Sequence, residues 1–268
     1  MSPSSAKNSG QRLLNFQLPA VDSQIDRTFG GQVVAQTLAA ATTTVEPARP
    51  VLSLHGYFIG PGDSRRPLDA RVEVLRDGGI FSSRRVIVTQ DARTVFLLTA
   101  NFSGSDQTGP AHSDAMPEVP APDMLAGEHD LLPPGVHLSD WEEWSIRLLP
   151  EDTFPGPTRG VWFRSRASQG ESQQLHRQLV AYMSDMTLPY MSLKGHPVHM
   201  NEALSYQIAS LDHGMWFYSD VDTSMWLLYL QHSPVAKGGT GLNVGKLFNQ
   251  DGDLLAVTQQ QTMIRHHR

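Results

Sequence analysis

The apolar residues of the chain follow two different patterns, which together predict a mixed α+β fold. Two long runs are β-rich, "DARVEVLRDGGIFSSRRVIVTQDARTVFLLTANF" and "SMWLLYLQHSPVAKGGTGLNVGKLFNQDGDLLAVTQQQTMI", and "NQDGD" in the second indicates a hairpin turn. One helix is predicted to open after "FGG", and another to begin near Glu171 and end at Pro189. The apolar stripe of the second helix has spacings close to i, i+4, i+7, i+8 and i+11, and consists of Leu175, Leu179, Tyr182, Met183 and Met186.

The two halves of the chain resemble each other. "GQVVAQTLAAA" (31–41) aligns with "RQLVAYMSDMT" (177–187), and "SLHGYF" (53–58) aligns with "SLDHGMWF" (210–217). The Gly-Gly pair at 78 and "TQDA" at 89 recur as Gly-Gly at 238 and "NQDG" at 249, each displaced by 160 positions. Four matches in the same order indicate a duplicated unit, in which one helix packs against the concave face of an antiparallel sheet.

A change of composition after Phe102 divides the chain into three parts. Residues 103–137 are rich in Pro, Gly, Ser and acids and have no sustained periodicity, which is typical of a linker. The predicted organisation is an N-terminal unit at 1–102, a linker at 103–155 and a C-terminal unit at 156–268.

Composition excludes several classes of function. The 268 residues include no cysteine, so neither a thiolate nucleophile nor a cysteine-ligated metal is possible, and no metal-ligand spacing is found. The formal charge of -6 argues against a nucleic-acid partner. No apolar run reaches the roughly 20 residues of a membrane helix, and neither end carries a targeting signal. We therefore expect a cytoplasmic protein with no membrane partner.

Asp185 lies in the apolar segment "LVAYMSDM" near the end of the second predicted helix. The helical rotation puts it about 60° from Tyr182, at the rim of the buried stripe. The ordinary interpretation of such a position is a solvated acid. Two observations favour a functional role: a carboxylate in the last turn faces the negative end of the helix dipole, and the aligned residue of the first half is Ala39.

Six segments spanning both halves carry a resemblance to a known family: "FGGQVVAQTL", "SLHGYFIGPGD", "VEVLRDGGIFSSRRV", "YMSDM", "LDHGMWF" and "DGDLLAVTQQQTMIR". They are similar to the acyl-CoA thioesterase II (TesB-like) enzymes. The resemblance implies a double hotdog fold, dimers or larger homo-oligomers, and hydrolysis of acyl-CoA without a cofactor. It also implies a water held by an aspartate, a hydroxyl residue and a glutamine, which fall at Asp185, Ser210 and Gln260.

Strand alternation singles out Gln260 from its neighbours Gln259 and Gln261. It aligns with Ala100, on the face that carries Phe96, Leu98 and Phe102 and should meet the core helix. An inward glutamine requires a hydrogen bond, so a role in holding water is expected, with a polar subunit interface as the alternative.

Ser210 aligns with Ser53 and could equally be a structural cap at a strand start. Since the first half has Ala39 and Ala100 where the second has Asp185 and Gln260, we predict one active site per chain. The first half would serve as scaffold and as a wall of the acyl tunnel.

Substrate-binding candidates are two glycines and several cations. Gly30 and Gly31 would allow close approach of a ligand, with nearby backbone N–H groups polarising the thioester carbonyl. For the CoA phosphates the candidates are Arg65, Arg66, Arg84, Arg85 and Lys237, each of which could instead be a solvated surface charge.

Three alternatives to this mechanism remain open. Asp212 and His213 form a rival titratable pair, although neighbours on a strand point to opposite faces, so His213 is interpreted as structural. A hotdog-fold hydratase or dehydratase would pair Asp185 with a histidine, for which the segment offers His196, beyond Pro189. A non-catalytic acyl-CoA-binding protein would keep the fold without turnover. A serine-nucleophile hydrolase is disfavoured because "GxSxG" is absent.

Overall fold

Three α-helices, three short 3-10 helices and thirteen strands make up the regular structure of the parts that the computed structural model describes, residues 4–8, 11–21, 26–104, 109–127, 141–196 and 206–266. The helices are α1 (Gly30–Thr42), α2 (Gln173–Thr187) and the short α3 (Met191–Lys194). The strands of the first half are β1 (Ser4–Asn8), β2 (Gln11–Leu18), β3 (Val51–Phe58), β4 (Leu68–Asp77), β5 (Phe81–Gln90) and β6 (Arg93–Ser103). Those of the second half are β7 (Trp144–Leu148), β8 (Thr158–Ser165), β9 (Tyr206–Ser210), β10 (Asp212–Phe217), β11 (Leu227–Lys237), β12 (Thr240–Phe248) and β13 (Leu254–His266).

The strands form one antiparallel sheet whose order repeats in reverse about its middle. Its path is β1-β2-β4-β5-β6-β3-β10-β13-β12-β11-β8-β7, with β9 paired to β13. Strands β2, β4, β5, β6 and β3 of the first half therefore correspond to β8, β11, β12, β13 and β10 of the second. The two halves join where β3 pairs with β10, with Ser53 opposite Trp216. This topology confirms the internal duplication and the antiparallel sheets that the sequence predicts.

The two long helices pack against each other on the inner side of the sheet. Helix α1 contacts β2 to β6 and runs against α2. Close approach requires glycine at position 31, because a Cβ there would lie 2.2 Å from the carbonyl oxygen of Tyr182. Inner positions of β6 are buried as predicted, with Phe96, Leu98 and Ala100 at most 1% exposed. Each half thus supplies one helix to a shared core.

Helix α2 differs from its prediction in two respects. It begins at Gln173, after the N-cap Ser172, whose hydroxyl accepts a hydrogen bond from the N–H of Leu175. Leu175 and Leu179 of the predicted stripe are only half-buried, whereas residues 180–189 are all buried. The reason is that the C-terminal half of α2 is enclosed by α1 as well as by the sheet, so no solvent-facing rim exists there.

The interval predicted as a linker, 103–155, is only partly a linker. Its C-terminal part contains β7, which pairs with β8 and belongs to the sheet of the second half. Residues 109–127 lack strands but cover the outer face of that sheet, where the indole N–H of Trp162 donates to the carbonyl of Pro120 (3.1 Å). Leu228 and Phe248 lie in the same outer apolar cluster. The linker prediction is therefore wrong for β7, which at five residues is too short for periodicity to reveal.

Within the described residues, every helix is too short or too polar to cross a lipid bilayer.

Candidate active site

Asp185 lies in the last turn of α2, with its carboxylate at the N-terminus of α1. It is 4% exposed, so the prediction of a rim position is wrong. Its Oδ1 accepts hydrogen bonds from the hydroxyl of Ser210 (2.8 Å) and from Nε2 of Gln260. The carboxylate also accepts the backbone N–H of Gly31. The structure thus brings the three residues Asp185, Ser210 and Gln260 together around one carboxylate.

Gln260 is fully buried on β13, between the exposed Gln259 and Gln261. The strand therefore presents this side chain inward, as alternation predicts. Because a carboxylate can only accept hydrogen bonds, Nε2 must be the atom that faces Asp185. The other amide atom, Oε1, is buried and has no hydrogen-bond partner among the described residues. It is therefore an unsatisfied buried acceptor next to the carboxylate of Asp185.

Ser210 is the last residue of β9, at the point where the chain shifts into β10. It lies opposite Thr262 of β13, whereas Ser53 lies opposite Asn101 of β6. Because Ala100 is the counterpart of Gln260, Asn101 is the counterpart of Gln261. Ser53 is thus opposite the counterpart of Gln261, whereas Ser210 is opposite Thr262. The two serines therefore lie one residue apart in strand register. The alignment of Ser53 with Ser210 is therefore offset by one position, and the hydroxyl near Asp185 belongs to the second half.

Two glycines leave the space that the carboxylate occupies. A Cβ on Gly30 would lie 2.5 Å from Oδ2 of Asp185. Gly31 donates its N–H to the same carboxylate, in the first turn of α1, where the helix dipole favours negative charge. The N–H of Gly31 is therefore engaged by Asp185. A role of the other N–H groups near "FGGQ" at a substrate carbonyl stays a prediction.

Burial raises the pKa of Asp185 to about 6, against the opposing effect of its hydrogen bonds from Gln260, Ser210 and Gly31. A carboxyl with this pKa is ionised at neutral pH and is still a much stronger base than an exposed aspartate. Burial, and to a smaller degree the charge of Asp185, also raises the pKa of Tyr190 and of Tyr229. The site therefore combines a carboxyl of raised pKa with a low-polarity surrounding.

A cavity of 560 Å³ opens beside Asp185 and Ser210. Its walls come from both halves and are mainly apolar; they include Val33, Phe58, Ile59, Met186, Ile208 and Met263. Side chains of the first half line the cavity, as expected if this half forms a wall of the site. Arg27 also lines it, and sequence reasoning missed this residue although it lies two positions before "FGG".

None of the five predicted phosphate-binding cations lines this cavity. Arg65, Arg66 and Arg85 are paired with acids, namely Asp63, Asp91 and Glu73. Lys237 is exposed at the turn between β11 and β12.

Among these cations, the structure contradicts the predicted phosphate binding most clearly for Arg84. It is 1% exposed, and its guanidinium donates to the carbonyl and hydroxyl of Thr44 beyond the end of α1 and pairs with Asp77 (2.8 Å). Its side chain faces inward from β5, where it binds oxygens beyond the C-terminal end of α1, so it cannot contact CoA.

The rival titratable residues lie outside the cavity beside Asp185. Oδ1 of Asp212 accepts the N–H of Gln261 (2.6 Å). His213 is buried, its Nε2 contacts the hydroxyl of Ser184 (2.8 Å), and burial lowers its pKa to about 4. His196 is exposed after α3. None of the three lines the cavity beside Asp185.

A palindromic sheet around two helices, with a buried carboxylate at their junction, defines a double hotdog protein. Residues 138–263 match the model of the acyl-CoA thioesterase family, and residues 19–103 match that of the acyl-CoA thioesterase N-terminal domain. Acyl-CoA thioesterase 2 of Haemophilus influenzae is 32% identical over 267 residues, which cover 94% of this chain and 92% of that protein. The chain belongs to the acyl-CoA thioesterase family.

Solved structures agree with this assignment. An acyl-CoA thioesterase II, TesB2, from Mycobacterium marinum is 39% identical with a TM-score of 0.81, covering 95% of this chain and 93% of that one. A protein with a hot dog fold from Alicyclobacillus acidocaldarius has a TM-score of 0.76 at 22% identity, covering 99% and 97%, and supports the fold alone.

The raised pKa of Asp185 predicts a pH-dependent effect of Asp185→Asn on stability. Because the folded-state pKa exceeds the ordinary value of 3.8, the folded protein holds this proton more tightly than the unfolded chain does. The free energy of unfolding of the wild type therefore falls as pH rises from about 4 to about 6, by up to about 3 kcal/mol. The free energy of unfolding of Asp185→Asn should not fall in this way, because its neutral amide does not titrate.

Urea denaturation of both proteins at pH 4 and pH 8 measures the difference. Between pH 4 and pH 8, the free energy of unfolding of Asp185→Asn should rise by up to about 3 kcal/mol relative to that of the wild type. A difference in unfolding free energy that is the same at both pH values would contradict the raised pKa.

Proposed function

We propose that this acyl-CoA thioesterase hydrolyses fatty acyl-CoA to free fatty acid and CoA with a water held by Asp185, Ser210 and Gln260. No covalent enzyme intermediate is involved. The observation that carries the proposal is the arrangement around the buried carboxylate. Oδ1 of Asp185 is held by two side-chain donors, and the unpartnered Oε1 of Gln260 is ready to accept a proton of the water.

The proton transfers of the reaction need only groups that the chain supplies. The water donates one hydrogen bond to Asp185 and one to Oε1 of Gln260, which aims its lone pair at the thioester carbonyl. As the oxygen attacks, Asp185 takes a proton from it and a tetrahedral oxyanion forms. Collapse of the oxyanion breaks the C–S bond, and the protonated Asp185 returns its proton to the thiolate of CoA.

The same geometry argues against a serine nucleophile. The hydroxyl of Ser210 donates its single proton to Asp185, and a nucleophilic serine needs a base that accepts this proton and an electrophile within reach. Asp185 could accept it, but the thioester carbon would then have to displace the water position beside Gln260. We therefore assign Ser210 to holding the carboxylate of Asp185, which in turn binds the water.

The apolar walls of the cavity are the natural site for the acyl chain. Phe58 and Met186 belong to different halves, and both line the space beside Asp185. An apolar cleft of 560 Å³ is within the usual range for small-molecule sites. Burial of the acyl chain there would exclude bulk water and leave the held water as the nucleophile.

The two alternatives are less well supported. A hydratase or dehydratase would need a histidine beside Asp185, and His196 and His213 both lie outside the cavity. A non-catalytic acyl-CoA-binding protein would have no use for a buried base with a pKa of about 6. A cytoplasmic location and assembly into a homodimer or larger homo-oligomer stay predictions from the sequence.

Replacement of the base tests the proposal. Asp185→Asn keeps the shape and removes the base, so we expect kcat for acyl-CoA hydrolysis to fall by about 100-fold or more. Release of CoA thiol from a panel of acyl chain lengths measures this. In the wild type, kcat/KM should fall below pH about 6, because protonated Asp185 cannot activate water.

Asp212→Asn is the matched control, since it changes a nearby acid that lies outside the cavity. It should keep wild-type kcat. Equal activity in Asp185→Asn and the wild type would refute the proposed base, and the absence of turnover by the wild type on every acyl-CoA would favour the binding protein.

Arg27 provides a second test, because it is the arginine that lines the cavity. We propose that it attracts the phosphates of CoA. Arg27→Ala should raise KM by roughly fivefold or more with little change in kcat, and the effect should shrink at high salt because exposed charges are screened. Arg65→Ala is the matched control, and an equal rise of KM in both variants would exclude a specific role for Arg27.

A further inference from the structure

A buried tyrosine behind the site connects the two elements that carry Asp185 and Gln260. The hydroxyl of Tyr229, on β11, lies 3.1 Å from the backbone oxygen of Ser184 and 2.7 Å from Oγ1 of Thr258. Ser184 directly precedes Asp185 in α2. Thr258 precedes Gln260 by two positions on the same inner face of β13. One phenol oxygen therefore joins the backbone beside the base to the strand of the glutamine.

The direction of these hydrogen bonds follows from their chemistry. A carbonyl can only accept, so the single proton of the phenol goes to Ser184, and Thr258 donates its hydroxyl proton to the phenol oxygen. Burial raises the pKa of Tyr229, so the phenol stays protonated through the physiological range. The bridge is thus fully satisfied and has one defined arrangement.

Gly245 makes this bridge possible. Strand β12 lies between β11 and β13, and Gly245 is opposite Thr258. A Cβ at this position would lie 2.6 Å from the oxygen of Tyr229 and 2.4 Å from Oγ1 of Thr258. The phenol crosses β12 only because position 245 has no side chain.

The last turn of α2 particularly needs such a support. Its final carbonyls have no partner within the helix. The oxygen of Thr187 accepts a hydrogen bond from the half-buried Arg159 (3.1 Å), while that of Ser184 accepts from the buried Tyr229. Two donors of the sheet therefore hold the turn that carries Asp185.

We propose that Tyr229 is a positioning residue that sets the contact between Asp185 and Gln260 by fixing α2 relative to β13. It does not line the cavity beside Asp185. The inference rests on the proposed function, since it assumes that this contact holds the attacking water. A small displacement of a catalytic group has a large effect on rate, so loss of the bridge should affect turnover more than substrate binding.

Tyr229→Phe removes only the hydroxyl and is the first test. We expect kcat to fall by about tenfold, with KM within about twofold of the wild type. The acid limb of the pH profile should move to higher pH, because Asp185 would lose part of the hydrogen bonding that lowers its pKa. Thr258→Val should act in the same direction, and the double variant should be no worse than the more impaired single variant, because both changes break one bridge.

Thr42→Val is the matched control. Like Thr258→Val, it removes a buried threonine hydroxyl. The hydroxyl of Thr42 donates to the carbonyl of Leu38 within α1, and Thr42 lies about 18 Å along the helix from Gly30. It should lower the melting temperature without moving kcat or the pH profile. If Tyr229→Phe behaves like Thr42→Val, the bridge is merely structural and the inference is overturned.

A measurement that does not depend on turnover separates this inference from the proposed function. The carboxyl of Asp185 can be titrated by NMR with ¹³C-labelled aspartate, using Asp185→Asn to assign its signal. A higher pKa in Tyr229→Phe or Thr258→Val than in the wild type would support the bridge even if no acyl-CoA were hydrolysed. An unchanged pKa in both variants would overturn it.

Discussion

The buried carboxylate of Asp185 at the junction of α1 and α2 is the constraint on which the site depends. Burying an ionised carboxylate is unfavourable unless donors surround it. Here the donors come from three separate elements: the N–H of Gly31 on α1, the hydroxyl of Ser210 on β9 and the amide of Gln260 on β13. The carboxylate therefore holds the helix pair and the sheet in one arrangement, and that arrangement also exposes it to the cavity.

The duplication explains why this junction is asymmetric. The palindromic sheet gives each half a helix and an equivalent set of strands. The second half places Asp185 and Gln260 where the first has Ala39 and Ala100, which match the same fold without polar groups. The first half instead contributes the glycines at the start of α1 and cavity walls such as Phe58. Both halves thus form the cavity, but the polar side chains around the carboxylate come from the second half alone.

Sequence reasoning succeeded where local rules decide the outcome. Strand alternation is local, so it oriented Gln260 correctly among three consecutive glutamines. The duplication could be read because order and spacing are preserved. The family resemblance brought Ser210 together with the other two residues, which no local pattern could do, since β9 meets Asp185 only through tertiary packing.

It failed where the outcome depends on what packs against an element. A helical wheel puts Asp185 at the rim of one buried stripe, whereas α1 and the sheet enclose α2 on several sides. The charge of Arg84 suggests a surface position, yet its strand face points inward. Arg27 lacked any pattern of its own, and its place in the cavity follows only from the packing around α1.

Direct attack of water on the thioester is the central claim, and the fate of solvent oxygen tests it. In a single turnover of acyl-CoA by excess enzyme in H₂¹⁸O, the account predicts one ¹⁸O atom in the released fatty acid. Mass spectrometry should then find neither ¹⁸O nor an acyl group on the peptide that contains Asp185. Either modification of that peptide would contradict the account, because it would mean that the carboxylate itself attacks the thioester.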